Sequence, residues 1–92
     1  MLEYNIPARL DAVNSAEVEE QLLRKIDENG ATEVACDFSD TVYISSAGLR
    51  VMLVVSKKMA GQGGKCTLRG MNDDVYGIFE MAGFNHIIDI ER

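Results

Sequence analysis

The 92-residue sequence has a single proline, no low-complexity stretch and no long apolar run. The lack of compositional bias argues against an intrinsically disordered chain. No apolar segment reaches the roughly 18 residues that a membrane-spanning helix needs. The start, M-L-E-Y-N-I-P, lacks the basic and hydrophobic regions of a signal peptide. These absences predict one folded domain over residues 1–92, located in the cytoplasm and without a membrane partner.

Cysteine and positive charge are also scarce. Cys36 and Cys66 lie far apart, form no C-x-x-C motif and have no metal-ligand companions, so we expect two buried, reduced thiols and no metal site. Nine Lys and Arg residues against 15 Asp and Glu residues leave a net charge of −6. That charge argues against a nucleic-acid partner, because phosphate binding needs a basic surface. We expect the acidic surface to keep the protein soluble.

Strand and helix patterns alternate along the chain. The alternation of Leu2, Tyr4 and Ile6 predicts a first strand, and Pro7 places it at a sheet edge or near its own end. A turn is predicted over 9–13. The predicted strands span 2–8, 32–38, 42–44, 65–69 and 87–90, and the predicted helices span 15–28, 47–60 and 75–82. This order requires crossover connections and predicts an α/β fold with a largely parallel sheet.

Polar residues and glycine mark the predicted helix ends. Asn14 with Glu17 three residues later is typical of a capping box at the start of the first helix. Gly30 is a typical helix stop. Asn72 or Asp73 is expected to cap the last helix.

Two adjacent serines, Ser45 and Ser46, fall where a short strand gives way to the second helix. A hydroxyl at this position can cap the helix by accepting from its first free N–H groups. Alternatively, the partial positive charge of the helix start can accommodate a phosphate on either serine, which adds about 1.5–2 negative charges. Gly48 costs about 0.5–1 kcal/mol in a helix relative to alanine, which indicates close approach by another backbone or a ligand. The residues alone leave both interpretations of the serines open.

The second helix is apolar on more than one side. Its polar side carries Arg50, Lys57 and Lys58, with Val54 among them. A helix on one face of a sheet needs a single apolar stripe. The surplus predicts either a protein-docking surface beside the serines or a helix buried among its neighbours.

An enzymatic serine would need a base, and the only histidine, His86, is expected at a surface or strand end. No G-x-S-x-G elbow precedes the second helix. Asp11, Asp37 and Asp40 could approach the serines, but we expect them to cap turns or bind a partner. The glycine-rich run 61–65 follows a helix instead of a strand, which predicts a turn and not a phosphate-binding loop. We therefore expect a protein that is not an enzyme and has no cofactor.

Six short motifs follow one another over nearly the whole chain. They are R-L-D-A at 9–12, S-A-E-V-E-E-Q-L at 15–22, V-A-C-D-F-S at 34–39, Y-I-S-S-A-G-L-R-V-M-L at 43–53, G-G-K-C-T-L-R-G at 63–70 and I-F-E-M-A-G-F at 78–84. Together they resemble a STAS domain of the bacterial anti-sigma factor antagonist family. The resemblance implies a small mixed, largely parallel sheet of about four to five strands, with helices packed mainly on one side.

The resemblance also implies a phosphorylation site. In switch members of the family the motif reads Asp-Ser-Ser/Thr-Gly, and the hydroxyl directly after the Asp is phosphorylated. Aligning the motif's glycine with Gly48 places Ser46 at that position, with Ser45 as the alternative. Ser45 then stands where the family has Asp. The implied partner-binding residues are Asp11, Asp40, Ser45, Ala47, Gly48, Arg50 and Val54.

The implied function is partner switching in transcription regulation. The unphosphorylated form would bind an anti-sigma factor that is also a serine-protein kinase. Phosphorylation of Ser46 would release that partner, and a PP2C-type phosphatase would restore binding. The free protein is expected to be a monomer. The alternative is a STAS adaptor subunit of a transport or stress-signalling complex, without sigma-factor control.

Overall fold

A computed structural model describes residues 1–91 and shows six strands, three α-helices and one short 3₁₀ helix in that part of the chain. The strands are β1 (Leu2–Asn5), β2 (Arg9–Leu10), β3 (Glu33–Asp37), β4 (Tyr43–Ile44), β5 (Lys65–Arg69) and β6 (Asp89–Glu91). The helices are α1 (Ser15–Asn29), α2 (Ser46–Gly61) and α3 (Asp73–Met81), and the 3₁₀ helix spans Phe84–His86.

The strands form two parallel sheets. The larger sheet has the order β1-β3-β5-β6, and the smaller one pairs β2 with β4. Every strand pairing between the described residues is parallel. The predicted α/β fold with a largely parallel sheet is therefore confirmed, and β1 lies at a sheet edge with Pro7 just beyond its end, as predicted.

The register gives the larger sheet one apolar and one polar face. Tyr4, Cys36, Leu68 and Ile90 form a row across the four strands. Because side chains alternate along a strand, their neighbours point to the other face. The charged residues of that polar face are Glu3, Glu33, Asp37, Lys65, Arg69, Asp89 and Glu91. The helices cover the apolar face, where Tyr4 donates a hydrogen bond to Gln21 of α1 at 3.0 Å, so their packing mainly on one side is confirmed.

The core lies between the apolar face and the helices. The buried residues of α1 are Val18, Leu22 and Ile26. The buried residues of α2 are Gly48, Val51, Met52, Val55 and Met59. Most of the surplus apolar surface predicted for α2 is thus buried among its neighbours, whereas Val54 stays half-buried. Phe38 and Phe79 pack edge to face near α3, with ring centroids 5.6 Å apart.

Two parts of the sequence prediction for the chain path were wrong. The predicted turn over 9–13 contains β2, because Arg9 and Leu10 pair with Tyr43 and Ile44. The predicted last strand, 87–90, begins later, at Asp89, because the 3₁₀ helix and its following turn occupy residues 84–88.

The predicted capping box of α1 was also wrong. Asn14 occupies the N-cap position but makes no side-chain cap hydrogen bond. Its side-chain oxygen accepts from the N–H of Asp11 at 3.0 Å, and its amide nitrogen donates to the carbonyl of Arg9 at 2.7 Å. The side chain therefore fixes the turn between β2 and α1 and is not free to cap the helix. The predicted stop at Gly30 is confirmed, with φ of 56°.

The two cysteines lie buried on β3 and β5, as predicted.

None of the helices within residues 1–91 is long and apolar enough to cross a bilayer.

Candidate functional site

The β2–β4 pair places the two serines. Leu10 pairs with Ile44, and one residue further the N–H of Ser45 donates to the carbonyl of Leu10 at 3.0 Å. Ser45 has an extended backbone, with φ of −101° and ψ of 176°, and it is the single residue between β4 and α2. The strand thus fixes both the position and the direction in which α2 begins.

The two hydroxyls have different surroundings. Ser46 is exposed and is the first residue of α2. The Ser45 Oγ is buried and has no hydrogen-bond partner among residues 1–91, so it does not cap the helix. The first turn of α2 contains no acidic residue, unlike the first turns of α1 and α3. A negative charge on Ser46 would therefore meet the positive end of α2 without an acidic neighbour in that turn.

Ser46 opens onto a groove between the N-terminal halves of α1 and α2. The groove has a volume of about 580 Å³. Its lining residues are Ser15, Ala16 and Glu19 of α1 and Ser46, Ala47, Arg50, Val51 and Val54 of α2. Among the residues predicted from the sequence, the structure thus brings Ser46, Ala47, Arg50 and Val54 together on one surface.

The close approach predicted from Gly48 is confirmed, and the approaching backbone is that of Leu10. It is buried, and a Cβ atom built on it would lie 2.7 Å from the Leu10 carbonyl oxygen, 2.7 Å from Ile44 Cγ1 and 2.9 Å from Leu10 Cγ. The glycine therefore permits close packing of α2 on the β2–β4 pair. The prediction that Gly48 contacts a partner is corrected to an internal packing role, because the residue faces the core.

The two predicted aspartates lie in different places. Asp11 directly follows β2, so the register places it beside Ser45, and it is half-buried. One of its carboxylate oxygens accepts from the N–H of Val13 at 3.0 Å, and the other lies 3.4 Å from Nε of Arg9. Asp40 is exposed in the turn before β4, outside the residues that line the groove. The structure thus joins Asp11, but not Asp40, to the serine region.

The sequence analysis missed the α1 side of the groove. It also missed three exposed residues on β2, on the turn after it and on β4: Val13 is 93% exposed, and the Arg9 guanidinium lies 4.5 Å from the centroid of the exposed Tyr43 ring. The sequence signal of these residues was weak, because a two-residue strand has no visible periodicity. The R-L-D-A motif at 9–12 was the available clue, since it contains Arg9 and ends directly before Val13.

The remaining polar residues that were considered for catalysis do not line the groove. His86 is exposed in the 3₁₀ helix. Asp37 lies at the end of β3, where hydrogen bonds from the hydroxyl and the N–H of Ser39 lower the pKa of its carboxyl. The glycine-rich run after Gly61 forms the predicted turn between α2 and β5. No group of three or more His, Cys, Asp or Glu residues within 1–91 is arranged to hold a metal ion.

The fold and the serine motif define a known class of domain. The model of the STAS domain family matches residues 1–92. The chain belongs to the STAS domain family.

A curated protein is similar to this chain in sequence. BtrV of Bordetella bronchiseptica, named as a candidate anti-sigma factor antagonist, is 33% identical over 81 residues, which are 88% of this chain and 69% of BtrV.

Solved structures with the same fold include three informative cases. A candidate anti-sigma factor antagonist from Thermotoga maritima has a TM-score of 0.87 at 20% identity, over 95% of this chain and 75% of its own. The anti-sigma factor antagonist SpoIIAA in its unphosphorylated form has a TM-score of 0.73 at 12% identity, over 96% and 74% of the two chains. A sulfate transporter family protein from Wolinella succinogenes has a TM-score of 0.81 at 17% identity, over 98% and 75%.

Proposed function

We propose that this protein is an anti-sigma factor antagonist that acts by partner switching. Its unphosphorylated form binds an anti-sigma factor that is also a serine-protein kinase, and phosphorylation of Ser46 releases it. The observation that carries the proposal is the exposed hydroxyl of Ser46 at the first residue of α2, on the rim of a groove between two helices. Membership in the STAS family and the similarity to BtrV support the choice of partner.

The surroundings of the two serines favour Ser46 over Ser45 as the phosphorylated residue. A kinase must bring ATP to the hydroxyl that it modifies, and the Ser45 Oγ is buried whereas Ser46 is exposed. A phosphate on Ser46 would sit at the positive end of α2 without displacing a core residue. The domain would therefore keep its fold while the surface gains about 1.5–2 negative charges.

The added charge is sufficient to break a protein complex. A tenfold change in affinity corresponds to about 1.4 kcal/mol, so a hundredfold loss needs about 2.7 kcal/mol. A phosphate buried against a docked protein loses its hydration, and without a matching cation on that protein the cost is of this size or larger. A PP2C-type phosphatase reverses the modification and restores binding. On this account the protein is a regulated binding partner and performs no catalysis itself.

The proposal is tested by mapping phosphorylation. The purified protein is incubated with ATP and candidate serine kinases of the histidine-kinase-like ATPase superfamily, and the peptides are analysed by mass spectrometry. We expect one phosphate on Ser46, its loss in Ser46→Ala, and its retention in the matched control Ser45→Ala. Phosphate on Ser45 in the unaltered protein, or undiminished incorporation in Ser46→Ala, would contradict the assignment.

The alternative is an adaptor that binds its partner irrespective of phosphorylation. Its support is the fold shared with a sulfate transporter family protein, at a TM-score of 0.81. An adaptor of this kind would bind its partner equally well as Ser46→Ala and Ser46→Asp. A switch would bind as Ser46→Ala and bind more weakly as Ser46→Asp.

A further inference from the structure

Arg50 lies one helical turn after Ser46 on the same surface of α2. Both residues line the groove, and both are exposed. On an α-helix, the Cβ atoms of residues four apart are about 5–6 Å from each other, and long side chains at this spacing readily meet. The side chain of Arg50 is therefore within reach of any group attached to the Ser46 hydroxyl.

Arg50 differs from the other arginines that the structure describes. Arg9, Arg24 and Arg69 each form an ion pair with a carboxylate, from Asp11, Glu20 and Glu3 respectively. Arg50 has no such partner among residues 1–91, even though Glu19 lines the same groove from α1. Its guanidinium is thus a cation at the edge of the groove that no internal carboxylate neutralises.

We propose that Arg50 binds the phosphate of phosphorylated Ser46 within the same helix. This inference rests on the proposed function and adds a regulatory role for Arg50. A guanidinium matches a phosphate with two parallel hydrogen bonds. An acidic group four residues before a basic one is also the favourable order on a helix.

The ion pair gives phosphorylation a second effect at the groove. In the unmodified protein Arg50 is available to a carboxylate of the docked partner. After phosphorylation its guanidinium is held by the phosphate, so the groove gains negative charge and its cation is withdrawn from the partner at the same time. Both changes weaken binding of the same partner.

The test uses protein in which phosphoserine is incorporated at position 46 during translation, so that no kinase is needed. Unfolding by urea is measured for the Ser46 and phosphoserine forms, each with Arg50 and with Arg50→Gln. We expect the phosphate to lower the unfolding equilibrium constant more with Arg50 than with Arg50→Gln, by a factor of about three or more. The reason is that a phosphate dianion attracts an arginine more strongly than the carboxylate of an ordinary helical ion pair does. Lys57→Gln is the matched control, since it removes an exposed positive charge of α2 outside the groove.

A second measurement follows Arg50 directly. We expect the Nε–H resonance of Arg50 in ¹⁵N NMR spectra to shift and to exchange more slowly with water in the phosphoserine form. An equal effect of the phosphate in Arg50→Gln and in the unaltered background, together with an unchanged Arg50 resonance, would overturn the inference. If the phosphoserine form still fails to bind the kinase in that case, the proposed switch stands and only the role of Arg50 is wrong. Retained kinase binding by the phosphoserine form would instead contradict the switch itself.

Discussion

At the scale of single residues, Gly48 shows how a missing side chain sets the geometry of the site. The Leu10 carbonyl that approaches Gly48 also accepts the hydrogen bond from Ser45, at 3.0 Å. The backbone at this point cannot retreat without breaking that bond. Gly48 therefore lets α2 begin directly after β4, and this placement exposes Ser46.

Replacing Gly48 with alanine should destabilise the protein although alanine favours helices. The new Cβ would lie 2.7 Å from the Leu10 carbonyl oxygen, and overpacking of this kind costs about 1–3 kcal/mol. Gly77→Ala is the matched control: apart from its chain neighbours and the backbone of α3 itself, no atom lies within 4 Å of a Cβ at that position. We expect Gly77→Ala to stabilise by about 0.5–1 kcal/mol. Urea unfolding measures both changes, and an equal effect of the two would contradict the packing role of Gly48.

At the scale of helices and strands, the local signals in the sequence predicted most elements correctly. The predictions of the strand over 65–69 and of the helix stop at Gly30 agree with the structure. Their sequence signals come from residues that are adjacent in the chain. The capping prediction for Asn14 failed because its side chain bonds to the preceding turn. The two-residue strand β2 was missed because it exists only by pairing with β4, 34 residues further along.

The candidate site shows the same limit. The motif around 43–50 pointed to Ser46 at the start of a helix, and the structure places it there. The α1 wall of the groove, including Ser15 and Glu19, depends on how α1 and α2 pack against each other. No local pattern in the sequence predicts that packing. For the same reason, the sequence alone could not distinguish the buried Gly48 from the residues that were predicted to bind a partner.

The cap of α3 can be tested as an element. The side chain of Asn72 accepts from the N–H of Val75 at 2.8 Å and donates to the carbonyl of Thr41 at 3.3 Å. Asn72→Ala removes the cap, and we expect a loss of about 1 kcal/mol in the free energy of unfolding. Asn72→Asp keeps the capping acceptor but, like alanine, cannot donate to Thr41, so it should lose less than Asn72→Ala by the contribution of the cap. Urea unfolding measures the stability of both variants, and equal destabilisation of the two would argue against the capping role.

At the scale of the whole molecule, the two faces of the sheet determine the chemistry of the cysteines. Cys36 and Cys66 lie on the apolar face beneath the helices, and they are 0% and 8% exposed. Hydrogen bonding to Cys66 and burial raise the pKa of the Cys36 thiol, whereas the same hydrogen bond lowers the pKa of Cys66. The Cys36 thiolate is therefore disfavoured in the folded domain, and Cys66 is protected by its burial.

Thiol labelling should consequently report on opening of the domain. We expect a disulfide reagent to modify both cysteines at least 10³-fold more slowly in the folded protein than in urea, since domains of this kind are typically stable by about 5–15 kcal/mol. Gln62→Cys, in the exposed turn after α2, should react at once and serves as the control. Fast labelling of either native cysteine without denaturant would show that the sheet is not covered as described.

The central claim is that one modification of Ser46 decides whether the partner binds while the domain stays folded. Its most direct test is titration calorimetry of the kinase that modifies Ser46 against the unmodified protein and the phosphoserine-46 protein. Circular dichroism of the two forms should be the same. We predict an affinity at least a hundredfold lower for the phosphoserine form, which corresponds to about 2.7 kcal/mol. Equal affinities of the two correctly folded forms would contradict the account.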